Sequence, residues 1–360
     1  MTHPSATGTP DLAAARLDVD SVLRDFLDRK EESAPGPEMT PLFTTLRHLL
    51  TRGKRLRAQL CVTGWHAAGG NRETAGIATA ASAALELFQA SALIHDDVMD
   101  ASDTRRGRPS AHRALSAAYT ACGGRSSRSD THGLNAAVLL GDLALMWSDE
   151  LLRDQVEPAA LARALPVMAV MRSELVYGQY LDLLSTDHQL SGDVEAALRV
   201  VRYKTAKYTV ERPLHIGAAL AGGGTEVLDA CSAFAIPLGE AFQLRDDLLG
   251  VFGDPAQTGK PVGDDLREGK STVLLALAVQ QADEDERHVL RTLVGRPDLA
   301  EEDILHVRAI LEATGARERV EEMIAARRSA AVTALDQAPI PADTVGALHE
   351  IARIATARHA

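Results

Sequence analysis

Apolar residues recur along most of this chain at the three- and four-residue spacing of a helix face. Between 11 and 32 the set is Leu12, Leu17, Val19, Val22, Leu23, Phe26 and Leu27, and Ser33-Ala-Pro-Gly-Pro then breaks the chain. The same pattern predicts helices at about 40–52, 55–69, 74–101, 109–121, 134–154, 157–185, 192–221 and 226–252. It continues at about 271–281, 286–295, 301–314, 316–336 and 342–358. No stretch alternates with period two, so no strand is predicted. Cys122–Gly133 is the longest polar, glycine-bearing connection. Ala75–Ile94 and Ala136–Met146 are apolar nearly all round, as helices at the centre of a large bundle are. The predicted fold class is all-α. Residues 1–10 read as a disordered tail and 11–360 as a single domain, since no Pro/Gly/Ser-rich linker divides the middle.

Composition supports helices: 46% of residues are hydrophobic, only 4% are aromatic, and Ala and Leu dominate the long segments. The formal net charge of -12, with no long basic block, argues against nucleic-acid binding, which needs Lys and Arg to neutralise phosphates. An acidic protein that binds phosphate esters needs local basic clusters or divalent cations. Cys61, Cys122 and Cys231 form neither a metal pattern nor a disulfide framework, and read as small buried hydrophobes in a reducing compartment. The N-terminus lacks a basic region followed by an apolar run. No uninterrupted apolar run reaches the ~18 residues of a membrane span. A cytoplasmic protein is expected.

Two clusters carry candidate chemistry. Leu93-Ile-His-Asp-Asp-Val-Met-Asp100 closes the most apolar helix, and Asp96 and Asp100, at i and i+4, project from one face. Like charges at that spacing repel unless a cation lies between them. Mg2+ commonly uses one or two carboxylates plus substrate phosphates. Asp103-Thr-Arg-Arg-Gly107 follows, and the guanidinium forks of Arg105 and Arg106 suit phosphate oxygens. Roughly 150 residues later, Phe242-Gln-Leu-Arg-Asp-Asp247 repeats the theme with Asp246 and Asp247, although Gly250 stands where a third carboxylate would be. Lys260 and Asp264-Asp265 lie just beyond. Two acid-bearing helix ends in one apolar bundle suggest a shared cavity ringed by metal ligands.

The basic elements are Arg52-Gly-Lys-Arg-Leu-Arg57 at a helix start, where Lys54 and Arg57 can reach one anion, and Tyr203-Lys-Thr-Ala-Lys-Tyr208. Lys204 in an apolar segment is either a snorkelling side chain or a site residue. Gln89 and Gln243, on apolar faces, are either satisfied core amides or substrate contacts.

In order along the chain, Gly53-Lys-Arg-Leu-Arg57, His95-Asp-Asp-Val-Met-Asp100, Asp103-Thr-Arg-Arg-Gly107, Gly141-Asp142, Gly178-Gln179 and Asp182, Lys204-Thr205, Phe242-Gln-x-x-Asp-Asp247, Gly253-Asp254, Lys260 and Gly269-Lys270 resemble the motifs of the polyprenyl synthase family. The resemblance covers about residues 40–275, and the pattern is most similar to geranylgeranyl diphosphate synthases. It implies an isoprenoid-synthase bundle of mostly antiparallel helices around a deep cavity, a homodimer, and a head-to-tail trans-prenyltransferase acting on isopentenyl diphosphate and allylic diphosphates. It implies three Mg2+ ions, held by Asp96, Asp100 and Asp246 with Asp97 and Asp247 in support. Arg105, Lys204 and Lys260 are then expected on the allylic diphosphate. Lys54, Arg57, Gln89 and Arg106 are expected on isopentenyl diphosphate, and Thr205 and Gln243 near the developing cation. In the family, aromatic residues four and five positions before the first aspartate close the cavity at about fifteen carbons. Here those positions are Ala92 and Ser91, with Phe88 a turn deeper, so the expected product is the twenty-carbon geranylgeranyl diphosphate. A longer or shorter product, a terpene cyclase and an inactive partner subunit are the alternatives.

Overall fold

The computed structural model describes residues 10–51, 53–71, 74–187, 190–253 and 263–356. The expected N-terminal tail therefore lies outside the described residues except for Pro10. Contacts gather into two units, Met1–Leu165 with Ile216–Gly223, and Pro166–His215 with Gly224–Ala360.

The first unit begins with α1 (Leu12–Glu32), whose start is fixed by the Asp11 carboxylate accepting from the amides of Ala13 and Ala14 at 3.1 and 2.9 Å. It continues with α2 (Thr40–Leu50), α3 (Leu56–Ala67), α4 (Ala75–Met99), α5 (Ala111–Ala121) and α6 (Ser129–Gln155). Helix α4 is central, packing on α1, α3 and α6. Leu85, Leu87 and Ile94 of α4 and Leu140, Leu151 and Leu152 of α6 are fully buried. Two buried serines are tied to helix carbonyls: the Ser82 hydroxyl donates to Ala58 O and that of Ser148 to Ala84 O, at 3.1 and 2.7 Å. Small residues let the helices approach. A Cβ at Gly141 would stand 2.2 Å from the His95 ring, so a larger residue there would require that ring to move. At the other end of the interface Trp147 stacks on Phe43 and meets Phe26 edge-on, with centroids 5.6 and 6.1 Å away.

The second unit contains most of α7 (Pro158–Asp187), α8 (Val194–Val200), a π-helical stretch (Val201–Glu211), the start of α9 (Arg212–Leu220) and α10 (Thr225–Phe252). Beyond α10 come a short α11 (Asp264–Arg267), then α12 (Val273–Gln281), α13 (Glu284–Leu293), α14 (Glu301–Ala313), α15 (Ala316–Asp336) and α16 (Ala342–Thr356). Helix α10 is its hub, touching the π stretch, α11, α12, α15 and α16. Leu244, Leu248 and Val251 of α10 join Leu274, Leu275, Val307, Leu311 and Val320 in one buried cluster.

The all-α prediction holds, with three corrections. Thr104–Arg105 and Arg108–Pro109 form a small antiparallel pair, β1 and β2, too short for a period-two signal. Helix α6 starts at Ser129, inside the predicted polar loop, after a single turn at Ser126–Arg128. The predicted helix over 192–221 is interrupted by 11 residues of π-helix, which apolar periodicity does not separate from α. A fourth difference concerns membrane spans. Helices α4 and α10 are long and apolar enough to cross a membrane by length and composition. Most of the apolar stretch of α4 is packed inside the protein, as in the core helix of a folded domain.

Candidate active site

In the first unit, α4 ends at Asp100, whose amide closes on Asp96 O and Val98 O. The chain then turns through the β1–β2 hairpin. Its two loop residues, Arg106 and Gly107, have φ of 55° and 72°, the doubly left-handed turn that matches strand twist. An arginine in that conformation is held there by its contacts. With Arg105 at the end of β1 and Arg106 in the left-handed turn, the two guanidinium groups reach different partners. Arg105 Nε donates to Asp97 Oδ1 at 2.8 Å, and its Nη2 reaches Asp97 Oδ1 and, at 3.3 Å, Asp96 Oδ2. Arg106 Nη1 donates to Leu49 O at 3.1 Å, and its guanidinium lies against Gly53, where a Cβ would stand 3.3 Å from it.

The basic loop is braced from below. Arg55 is left-handed, with φ 53°, and buried. Its guanidinium donates to Asp20 Oδ1 on α1, to Glu86 Oε2 on α4 at 2.8 Å and to Leu50 O. Burial alone would lower the Arg55 pKa, but the charges and hydrogen bonds of Glu86 and Asp20 outweigh it and hold the pKa above the usual value. Gln59 Nε2 donates to Lys54 O at 2.6 Å. Lys54 is thereby exposed at the loop surface and Arg57 half-buried on the first turn of α3. Arg106 is pushed the other way: burial lowers its pKa, and Arg105, Arg55 and Arg57 add repulsion that Glu86 only partly offsets. Such a cluster of guanidinium groups favours an anion among them.

Along α4, Gln89, Ala92, Asp96 and Asp100 form a half-buried face at helical spacing. Phe88 and Ser91 are buried at 6% and 3% exposure, on the adjoining sectors. Ala92 therefore shares the aspartate face directly, whereas Ser91 does not. Asp97 is also buried. Burial raises its pKa, Arg105 opposes the rise, and Asp96 and Asp100 add to it. Its observed work is to seat Arg105.

In the second unit, α7 lies on the π-helical stretch at Gly178. A Cβ there would come within 2.4 Å of Lys204 N. Four residues on, Asp182 Oδ2 accepts from Lys204 Nζ at 2.6 Å. Helix α10 makes the matching approach at Gly239, whose Cβ would meet Ala206 Cα at 2.5 Å. This brings Thr205 Oγ1 to Gln243 Oε1 at 2.7 Å, and Gln243 Nε2 donates in turn to Asp247 Oδ1 at 2.7 Å. Gln243 is thus a satisfied amide that links Thr205 to an aspartate. Burial pushes the Asp247 carboxyl up to about 8; Gln243 opposes this, while Asp265, Asp246 and Asp182 reinforce it. Lys260 lies outside the described residues.

The donor set fits Mg2+. Both clusters offer carboxylate oxygens, the ligands a hard cation selects. Among the described residues no group of three His, Cys, Asp or Glu is preassembled as a metal site. A hard cation commonly takes one or two carboxylates and completes its shell on phosphate oxygens. Sequence reasoning missed the braces: Glu86 and Asp20 under Arg55, and Asp182 as the counter-ion of Lys204. A buried acid in an apolar helix was the available signal for Glu86.

The family described as polyprenyl synthetase matches residues 40–312. The chain is 32% identical over 311 residues to a geranylfarnesyl diphosphate synthase of Aeropyrum pernix, covering 84% of this chain and 87% of that one. It is 31% identical over 301 residues to a geranylgeranyl diphosphate synthase of Mycobacterium tuberculosis, covering 84% and 80%. The crystal structure of a geranylgeranyl pyrophosphate synthase from Corynebacterium glutamicum, complexed with isoprenyl diphosphate and magnesium, matches with a TM-score of 0.92 at 41% identity, covering 97% of this chain and 100% of that one. With its motifs seated as described, the chain belongs to the polyprenyl synthetase family of prenyl-transferring enzymes.

Proposed function

We propose that this protein joins isopentenyl diphosphate to an allylic diphosphate, with geranylgeranyl diphosphate as its main product. The observation that carries the reading is the hairpin that parts Arg105 from Arg106. Arg105 faces the carboxylates of Asp96 and Asp97, and Arg106 faces the basic loop of Lys54 and Arg57. A cation-assisted anion site and a purely basic anion site are thereby adjacent in one unit, as a reaction between two diphosphates requires.

In this reading Asp96, Asp100 and Asp246 hold Mg2+, with three ions as the expected complement. Bound there, Mg2+ supplies neutralisation of charge on the departing diphosphate. Arg105, seated by Asp97 beside Asp96, would present its donors to the allylic diphosphate, and Lys204 would add a further positive charge. Lys54, Arg57 and Arg106 bind isopentenyl diphosphate, with Gln89 on the same face of α4 as Asp96. As the allylic carbon loses its diphosphate, Thr205 and Gln243 turn oxygen dipoles toward the positive charge. The double bond of isopentenyl diphosphate attacks that carbon, and loss of a proton to the released diphosphate completes the cycle. No side-chain nucleophile takes part.

We also infer a homodimer. Helix α6 exposes Leu134, Val138, Leu139 and Met146, a set at helical spacing that solvent would not favour. The deciding experiment for function is product analysis of the purified protein with Mg2+, isopentenyl diphosphate and primers of several lengths. Hydrocarbon formed from an allylic diphosphate alone would mean a cyclase, and no turnover would mean an inactive partner subunit.

A further inference from the structure

We propose that Glu86 is a positioning residue for isopentenyl diphosphate, acting through Arg55 on the basic loop that carries Lys54 and Arg57. This rests on the reading that the loop, with Arg106, binds that substrate. Arg55 is buried, whereas Lys54 is exposed and Arg57 half-buried. Arg55 Nε and Nη2 donate to Asp20 Oδ1 at 2.8 and 2.6 Å, Nη1 donates to Glu86 Oε2 at 2.8 Å, and Nη2 also reaches Leu50 O. All three guanidinium nitrogens are engaged within the protein, so Arg55 serves as an anchor and not as a ligand for an anion. Its left-handed backbone, φ 53°, is uncommon for a residue with a side chain and needs such contacts to hold it. The path of the chain from Lys54 to Arg57 is therefore set by where Arg55 is seated.

Glu86 is the buried half of that seat. Its side chain is 9% exposed, against 32% for Asp20, so its charge is the less screened of the two. On α4 it belongs to a line of residues at helical spacing. Ser82, one turn before it, donates to Ala58 O in the first turn of α3, and Gln89, three residues after it, lies half-buried on the aspartate face. One line of α4 thus fixes the start of α3, seats the basic loop and leads to Gln89. The charge of Glu86 has a second effect. Arg55 and Arg106 donate to successive carbonyls at the end of α2, Leu50 O and Leu49 O. Two guanidinium groups are gathered there near Arg57, and Glu86 attracts both.

The test is initial-rate kinetics of the full-length protein with Mg2+, varying isopentenyl diphosphate and an allylic diphosphate in turn. Glu86→Gln keeps the length of the side chain and one acceptor but removes the charge. It should raise KM for isopentenyl diphosphate about tenfold, the scale of one weakened charge-assisted hydrogen bond, with kcat and the allylic KM changed less than about twofold. A second variant guards against loss of folding. Apolar residues of similar volume often replace a buried ion pair without loss of stability, so Arg55→Met combined with Glu86→Leu should fold, by its unfolding midpoint, and show the same selective rise. An unchanged KM for isopentenyl diphosphate in both variants would overturn the proposal. So would equal rises for both substrates, or a fall in kcat alone, which would mark a structural role. A lower KM would overturn it too, since Glu86 would then act only by its field on the anion. Arg57→Ala separates this from the wider reading. If it left KM for isopentenyl diphosphate unmoved, the basic loop would not be that substrate's site. If it raised that KM while the Glu86 variants did not, only the role of Glu86 would fall.

Discussion

Lys204 Nζ stands 2.6 Å from Asp182 Oδ2, and four residues before Asp182 on the same helix Gly178 lies against the backbone of Lys204. One turn of α7 therefore both admits the π-helical stretch and holds its lysine. The acid is buried and the ammonium only partly so, at 12% and 22% side-chain exposure. Asp182→Ala should leave Lys204 without the group that orients it. A hydrogen bond between charged partners contributes about 1.5–3 kcal/mol, so kcat/KM for the allylic diphosphate should fall roughly tenfold to a hundredfold. Steady-state kinetics with each substrate varied would check it, and an unchanged allylic term would mean that Asp182 does not position Lys204.

The close approach at Gly178 has its own consequence. With Lys204 N only 2.4 Å from the position of an added methyl, Gly178→Ala must force backbone apart. Overpacking of this kind costs about 1–3 kcal/mol. Gly346, exposed in α16 with nothing within 4 Å of its would-be Cβ, should respond with the opposite sign. Gly346→Ala should stabilise by about 0.5–1 kcal/mol through helix propensity alone. Denaturant unfolding of both variants compares them directly, and shifts in the same direction would contradict the packing argument.

Metal dependence follows from the first cluster. Asp96 and Asp100 share a face of α4, and Arg105 meets the charge of Asp96. Excess chelator should abolish turnover. Asp96→Ala should lower kcat by about a hundredfold or more, the scale of losing one element of electrostatic stabilisation. Turnover that persists in chelator would exclude the assignment.

Asp247 gives a pH dependence with a definite sign. Its folded carboxyl is raised from 3.8 to about 8 by burial, with neighbouring acids adding to it. Between those values the folded chain keeps a proton that the unfolded chain has lost. Stability of the metal-free protein should therefore fall as pH rises through this window, by at most about 1.4 kcal/mol per pH unit. Asp247→Asn removes that contribution. The difference between wild type and variant, measured by unfolding in chelator at several pH values, should grow with pH. Parallel profiles would show that the Asp247 proton is not linked to folding.

The helices and both acidic clusters were legible because each has a local signature: helical spacing for Leu85, Leu87 and Ile94, and i, i+4 spacing for Asp96 and Asp100. The partners were not. Glu86 lies 31 residues from Arg55, and Asp182 lies 22 from Lys204. Nothing in a single sequence says which buried acid meets which base. Gly250 is a further case: the sequence shows an absent carboxylate, and only the fold shows the Asp265 side chain lying against that position. Periodicity also placed Ser91 beside Ala92 on the product face, since the spacing rule spans a broad sector. Burial separates them.

That separation reorders the residues expected to set product length. A chain growing from the Asp96 end should run along the half-buried face of α4, where Ala92 lies one turn from the aspartate. One turn rises about 5.4 Å, close to one isoprene unit. A small residue at 92 leaves the first level open, and Phe88, a turn deeper and buried, is placed to close the next. Ala92→Phe should therefore shorten the product to fifteen carbons more completely than Ser91→Phe, whose ring would have to displace packed neighbours before reaching the chain. Ser91→Phe should also lower stability, by about 1–3 kcal/mol for overpacking a buried site. Phe88→Ala should lengthen the product beyond twenty carbons if its ring is the floor, at a stability cost of about 3–5 kcal/mol for a buried aromatic. Chromatography of dephosphorylated products from the three variants, read beside their unfolding midpoints, separates the two effects. Ala92→Phe with an unchanged product distribution would show that this face does not measure the chain.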